Sequence, residues 1–393
     1  MSVPRIVIVG GGIVGTSVAW HLAALSQAGG QAGGQAGGVT VIERDLSLHA
    51  ASTGRSTAGI RQQFTTRGNI RFSRYGLDML HRFGLEAMGF RENGYLVLAG
   101  DAKAAGVMRA AHALQEAEGA DVALLEPDAL AERFPHLNTG DLALASYGRS
   151  GEGWFDPLAL QARMKAEALA AGVIWQEAHA EGYVRKGDRV VAVRLADGAL
   201  IPADYVVNAS GARGGLMAAT ADVAIPVEAR KRTAFSFVCE HSPAGREALP
   251  LMIDATMLWC RPEGPGFIAG RHPEPDPEVD PDDLEPRSLE FEEVIWPTLA
   301  ERAACFEAIR LTGLWAGHYA WNTHDQNAIL GPAPGCGNLM LANGFSGHGV
   351  QHGPAVGCAI AELIVKGESQ THDIGEFVPE RLTETVTAEG AVW

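Results

Sequence analysis

The feature that most limits what this chain can fold into is an ordered run near its start: strand, glycines, helix, strand, acid. Arg5 to Val9 is short, apolar and β-branched, as a parallel strand buried on both faces reads. Gly10, Gly12 and Gly15 follow as G-x-G-x-x-G. Val14, Val18, Leu22 and Leu25 then fall three or four apart, on one face of an amphipathic helix. The β-rich stretch "VTVIERD" carries Glu43 at its end. Each part has a task at a dinucleotide: glycines permit a tight turn and close approach of pyrophosphate, the helix N-terminus faces that charge, and a carboxylate accepts ribose hydroxyls. A lone glycine motif is also an ordinary turn, so the order of all five parts carries the reading.

One spacing is unusual. Glu43 lies eight residues farther beyond Gly15 than the customary interval of about 20. Between them the chain repeats Gln-Ala-Gly-Gly three times, and two repeats supply the excess. The repeat reads as an expanded helix-to-strand loop at the end of the sheet opposite the phosphate site, neutral for function, with a binding role as the alternative.

Composition excludes several classes. The 393 residues are enough for two domains, and 47% are hydrophobic, enough for a sizeable core. No apolar run approaches the roughly 20 residues of a membrane span. A first strand starting at Arg5 leaves no room for a signal peptide. A net charge of −16 without a basic run argues against nucleic acid and anionic membranes. Cys239, Cys260, Cys305, Cys336 and Cys358 are scattered and form no C-x-x-C pair, so neither disulfides nor a metal site is expected, and the chain reads as cytoplasmic.

Along the chain, Asp101 to Ala131 is Ala-rich with helical period. "DRVVAVRLADGALIPADYVVNASG" reads as a hairpin turning at Asp197-Gly198 and then a strand. Glu228 to Glu240 alternates as a strand, His272 to Pro286 is a loop rich in Pro, Asp and Glu, Glu290 to Ile309 reads as a helix, and Ala355 to Val365 as another. Nucleotide-binding pieces at the beginning, middle and end imply a discontinuous cofactor domain over 1–90, 146–225 and 322–393. The substrate domain is expected over 91–145 and 226–321.

The glycine motif alone does not separate FAD from NAD. A second strand–turn–helix, "NLMLANGFSGHGVQHGPAVGCAIAELIVKG", offers another set of backbone N–H groups, as a long ligand clamped at both ends requires. Together with "GIRQQFTTRGNI", "GEGWFDPLAL", "WAGHYAWNTHDQNAILGP" and "GFSGHGVQHGPAVG", the chain resembles the D-amino-acid oxidase and sarcosine oxidase family of FAD enzymes over nearly its whole length. The resemblance implies an α/β fold: a Rossmann-like (GR2-type) FAD-binding domain with an inserted antiparallel β-sheet substrate domain. It implies a cradle of Gly10, Gly12, Ile13, Val14 and Gly15, adenosine contacts from Glu43 and Arg44, and contacts from Ser52, Thr53, Arg55, Ser56 and Thr57 to the middle of FAD. Gly182, Ala209, Gly211, Gly347, His348, Gly349, Val350 and Gln351 complete the implied cofactor set.

On the catalytic face the resemblance points first to Arg61, whose guanidinium fork suits a substrate carboxylate. The structural alternative is an arginine paired with a neighbouring acid or with the cofactor. Gln351 stands where the family closes its turn with a second cation, a lysine. Ile268 stands where sarcosine oxidases place a lysine beside the flavin, so slow reaction with oxygen and a dehydrogenase are expected; Lys231 is a possible substitute, or a solvated surface lysine. His272 and His348 fall in active-site segments as proton acceptors, electrostatic tuners or loop-fixing residues. Trp259 and Trp315 would wall the site or fill the core. His318 or Tyr319 stands opposite the family's covalent cysteine, and FAD is expected to be noncovalent.

The implied reaction is oxidation of the C–N bond of a secondary or N-methylated, sarcosine-like amino acid to an imine, by hydride transfer to flavin. The electron acceptor would be a quinone, an electron-transfer flavoprotein or oxygen. A D-amino-acid dehydrogenase or oxidase is the alternative chemistry, and a flavoprotein acting mainly through a protein partner, such as an assembly factor, the alternative class.

Overall fold

The computed structural model describes residues 4–28, 38–385 and 388–390, so most of the Gln-Ala-Gly-Gly repeat lies outside the described residues. Six strands form the first sheet, in the order Ile329–Ala333, Cys336–Asn343, Tyr205–Asn208, Ile6–Val9, Val39–Glu43, Ile174–Glu177. All pairs are parallel except at the Ile329–Ala333 edge. Ile8, Val41 and Val207 are fully buried, as central parallel strands covered on both faces demand.

Helix α1 (Ile13–Ala28) packs on this sheet beside α2 (Arg67–Phe83) and α3 (Gly349–Lys366). Gly15 sets how closely α1 approaches the first strand: a Cβ there would lie 1.9 Å from the Gly10 carbonyl oxygen. A small antiparallel sheet, Ala180–Lys186, Arg189–Leu195 and Leu200–Pro202, includes the expected hairpin, and Gly198 adopts φ +84° at its turn.

The larger sheet runs Ile309–Asn322, Val227–Cys239, Gly266–Arg271, Leu258–Glu263, Leu251–Ile253, Tyr95–Ala99, Leu144–Gly148, Val122–Leu125. Its pairings are antiparallel except between Leu251–Ile253 and Tyr95–Ala99, where strands from two separate stretches of chain meet. One face buries Phe235, Phe237, Phe267, Phe291 and Phe306 in a single aromatic cluster.

Two expected helices are shorter than the pattern indicates. The Asp101 to Ala131 stretch divides into a helix (Ala102–Ala117), a strand (Val122–Leu125) and a helix (Pro127–Arg133), because Gly119 at φ +76° stops the first helix and the sheet edge captures the next apolar run. The helix expected from Glu290 to Ile309 ends at Arg302, whose guanidinium is held by Asp141 and Asp254, and Ile309 already begins a strand. Among the described residues no helix is long and apolar enough to cross a membrane.

Candidate active site

The carboxyl ends of the parallel strands open on a cleft of about 1940 Å³, counting its mouth. In an open α/β sheet this edge is where ligands bind. Gly10, at φ +107°, turns the chain out of the first strand, and a Cβ on it would lie 2.2 Å from the Ala209 carbonyl oxygen. The N-terminus of α1 follows immediately. Thr53 Oγ1 accepts from Ile13 N (3.0 Å), and Glu43 Oε2 accepts from Gly11 N (2.7 Å). Glu43 Oε1 accepts from Asp45 N (3.0 Å), so the expected ribose acceptor is held rigidly by its own strand end.

Gly12, Ile13, Val14, Glu43, Arg44, Ala209 and Gly211 all line the cleft, as do Ser52, Thr53, Arg55, Ser56 and Thr57. The Ser52–Thr57 segment is anchored to the larger sheet: Ser52 Oγ donates to His318 O (2.8 Å), Arg55 Nη1 to Ala316 O (2.8 Å), and Trp315 Nε1 to Arg55 O (3.0 Å). Gly15 does not line the cleft; it packs helix to strand beneath it. Gly182 is also outside the lining, facing Thr220 and Arg194, and the wall there is made by Ala178, His179 and Ala180. Over the cleft mouth, Asp282 of the acidic loop bridges Arg44 (2.6 Å) and Arg213, while Pro281 lines the cleft.

At the far end lie Gly347, Gly349, Val350 and Gln351, at the start of α3. The sequence sees only part of their surroundings. Arg61 lines the cleft, is 5% exposed, and donates from its backbone N–H to Gln351 Oε1 (2.9 Å). Gln351 Oε1 also accepts from Ser73 Oγ (2.9 Å), so Gln351 fastens the Arg61 segment to two helices rather than offering a second charge. Arg61 Nη2 donates to His348 Nε2 (3.2 Å), which makes Nε2 the lone-pair nitrogen of a neutral imidazole. The guanidinium also lies over Phe64, 4.5 Å from the ring centroid. Burial pulls the Arg61 pKa below the usual arginine range, against the opposing pull of Tyr95, Glu389, Tyr319 and Glu152.

Facing Arg61 are groups that no sequence motif marks. Tyr95, Leu251, Ile253 and Arg232 line the same end of the cleft with Trp259 and Tyr319. Burial raises the Tyr95 phenol above its ordinary pKa. Arg232 brings a second guanidinium, paired with Asp276 through two bonds of 2.7 and 2.8 Å and stacked 4.8 Å from the Tyr319 ring centre. In the sequence Tyr95 is one of five consecutive buried strand residues and Arg232 one of several alternating charges, so only the sheet register tells which face each takes.

His348 is buried behind Arg61 rather than in the lining. His272 is also outside the lining: its ring meets Tyr319 and Trp321 edge-on (5.7 and 5.8 Å), and burial depresses its pKa to about 3, keeping it neutral. Lys231 is no solvated surface lysine, since it is buried and bound to Asp283 at 2.7 Å. Ile268 does not reach the cleft; its cross-strand partner Arg261 donates through Nη2 to the carbonyl of the cleft-lining Thr57 (3.2 Å). Trp259 and Trp315 both line the cleft. Among the described residues no cluster of His, Cys, Asp or Glu is placed to hold a metal ion.

Main chain at one end, a second helix N-terminus at the other and a long channel between them fit FAD, and define a flavin-dependent oxidoreductase. The chain belongs to the FAD dependent oxidoreductase (DAO) family, whose pattern matches residues 5–363. It is 35% identical to the FAD-dependent oxidoreductase domain-containing protein 1 of Bos taurus, over 96% of this chain and 84% of that protein. It is 26% identical to the 4-methylaminobutanoate oxidase (formaldehyde-forming) of Paenarthrobacter nicotinovorans, over 95% of this chain but 45% of that one. Its fold superposes on the crystal structure of L-proline dehydrogenase from P. horikoshii with a TM-score of 0.82 and 28% identity, covering 96% of this chain and 97% of the other.

Proposed function

We propose that this chain is a dehydrogenase that oxidises the C–N bond of a secondary or N-methylated amino acid to an imine. The observation that carries the reading is Arg61, a buried guanidinium in a cleft whose lining also includes an apolar wall of Leu251, Ile253 and Trp259. A carboxylate bound by Arg61 would leave the nitrogen substituent toward that wall. Bound FAD supplies the hydride acceptor. The chain's own residues bind, orient and exclude water: Arg61 holds the carboxylate, Gln351 and His348 fix Arg61, and Tyr95 and Tyr319 add phenols along the lining. Two relatives support the substrate class by name, one acting on 4-methylaminobutanoate and the other on L-proline.

The reading includes noncovalent FAD, so acid precipitation should leave all the yellow colour in the supernatant. It also includes a quinone or electron-transfer flavoprotein as acceptor in preference to oxygen; neither Ile268 nor Lys231, which is paired with Asp283, is among the residues lining the cleft. We divide the chain into a cofactor unit (1–90, 146–225, 322–393) and a substrate unit (91–145, 226–321). What supports the division is that the eight-stranded sheet draws its strands from 95–148 and 227–322. A cytoplasmic location is proposed from five free cysteines.

The test is anaerobic titration of the holoenzyme with proline, sarcosine, other N-methyl amino acids, glycine and D-amino acids, following the flavin absorbance. Bleaching by a secondary amino acid, followed by slow recovery in air, is the expected result. Bleaching by primary D-amino acids alone would replace the substrate class. A fully loaded protein that no amine bleaches would favour action through a protein partner.

A further inference from the structure

Glu152 is a buried carboxylate with no part in the reaction proposed above. It follows the strand Leu144–Gly148, is 1% exposed, and fills the space a side chain at Gly148 would need, where a Cβ would lie 1.8 Å from its Oε2. Its two hydrogen bonds come from neutral amides: Gln62 N to Oε1 (2.6 Å) and Gln63 Nε2 to Oε2 (2.8 Å). Gln63 Nε2 also donates to the carbonyl of Tyr95 (3.2 Å), a cleft-lining residue. The carboxylate is therefore tied to the segment that carries Arg61, through the two residues that follow it.

The charged and titratable groups around Glu152 come from several elements. Arg61 attracts its ionised form and Asp121 repels it. Farther out, Arg74 of α2 donates to Gln62 Oε1 (3.1 Å), Arg149 pairs with Asp121, and Glu92 Oε1 accepts from Gly151 N (2.7 Å). His348 touches Arg61 from the other side. Burial drives the Glu152 carboxyl up to about 7, while the Gln63 and Gln62 bonds and Arg61 hold it down. A carboxylic acid also needs an acceptor for its O–H. Gln63 has one: its Oε1 is buried without a hydrogen-bond partner, and a turn of the amide would present it to Glu152 in exchange for the Nε2 bond to the Tyr95 carbonyl.

We propose that Glu152 is a proton-linked counter-charge to Arg61: when an anionic ligand binds at Arg61, the Glu152 carboxylate takes up one proton from solvent. The inference rests on the reading of Arg61 as the carboxylate anchor. A ligand carboxylate at Arg61 brings a second anion into the field that keeps Glu152 ionised, and in a buried site two carboxylates sharing one cation favour protonation of one of them. The step balances as a carboxylate and a solvent proton giving a carboxylic acid, with no other bond made or broken. Glu152 is a positioning residue; it does not touch the ligand.

The experiment uses the FAD holoenzyme and acetate as the probe, reading binding from the flavin difference spectrum and proton uptake from an indicator dye in weak buffer at pH 7.5–8. The expected result is uptake approaching one proton per acetate bound, with a Kd that rises up to tenfold per pH unit on the alkaline side. Glu152→Gln should bind acetate with a pH-independent Kd and no uptake. Should that variant fail to fold, Glu152→Asp should move the inflection of the wild-type Kd profile. Acetate binding that Arg61→Gln abolishes, but with no uptake in the wild type, overturns the proposal and leaves Arg61 as the anchor. Uptake that persists in Glu152→Gln also overturns it and puts the proton elsewhere, with His348 the next residue to test. Acetate binding unaffected by Arg61→Gln, or absent altogether, removes the anchor reading and this proposal with it.

Discussion

At the Gly10–Glu43 end the cleft is built on one glycine turn and the N-terminus of α1, closed by Thr53, Ala209 and Gly211; at the Arg61 end it is built from side chains of well-separated segments. Gly10, Gly12 and the first N–H groups of α1 are set by local dihedrals and one capping threonine. Arg61, Tyr95, Arg232, Leu251, Trp259, Tyr319 and Gln351 meet only because two sheets are docked face to cleft. The contrast teaches where variation is tolerated. The cofactor end fails when a main-chain contact is blocked, whereas the substrate end changes by degrees as single side chains are exchanged.

The sharpest attempt to break that contrast is Gly15→Val. Its Cβ would meet the Gly10 carbonyl at 1.9 Å, which is backbone and has no room to give. FAD content, read as the ratio of flavin to protein absorbance, should fall at least about tenfold. A fully yellow variant would show that the cofactor end is as tolerant as the other.

Arg61→Lys probes the opposite end. Loss of the guanidinium fork should raise KM for the amino-acid substrate about 10- to 100-fold, as about 1.5–3 kcal/mol for a hydrogen bond to a charged group implies, with FAD content unchanged. Unchanged kinetics would remove Arg61 from the site.

The pH dependence of stability separates the buried histidines from Glu152. Burial depresses His272 and His352 to about 3, and His21 and His372 to about 4, below the value near 6.5 of an unfolded histidine. Between about pH 6.5 and 4 the unfolded chain therefore binds more protons, and Tm should drop as the pH falls. Glu152 has the opposite sign: raised to about 7, it binds more protons when native between about pH 4.5 and 7, so its contribution falls as pH rises. Glu152→Gln should thus make the acid-side fall in Tm steeper by a few degrees, and parallel curves would count against its buried ionisation.

The smallest effect belongs to the strap over the cleft mouth. Asp282 is more than half exposed, so its pairs with Arg44 and Arg213 are solvent-screened. Asp282→Asn should weaken FAD retention only two- to fivefold, and added salt should erase the difference between variant and wild type. A large loss of FAD would mean that the cofactor end depends on side chains after all.

The likeness to the family implied Arg61, and the sequence by itself determined the βαβ unit at the N-terminus and the second glycine turn at Gly344–Gly349. The reason is local: a tight turn with φ above zero needs glycine, and a strand followed by a helix leaves a period that can be read directly. It did not reveal that Gly182 lies outside the cleft, that Lys231 is buried against Asp283, or that His272 and Ile268 stand away from the lining. Nor did it reveal Tyr95, Arg232 or Glu152, although a lone acid in "GEGWF" was the one visible sign of the last. Only the tertiary structure decided these, because a strand residue reaches the site or the core according to sheet register, and a buried carboxylate gains its meaning from a cation 91 positions earlier in the chain.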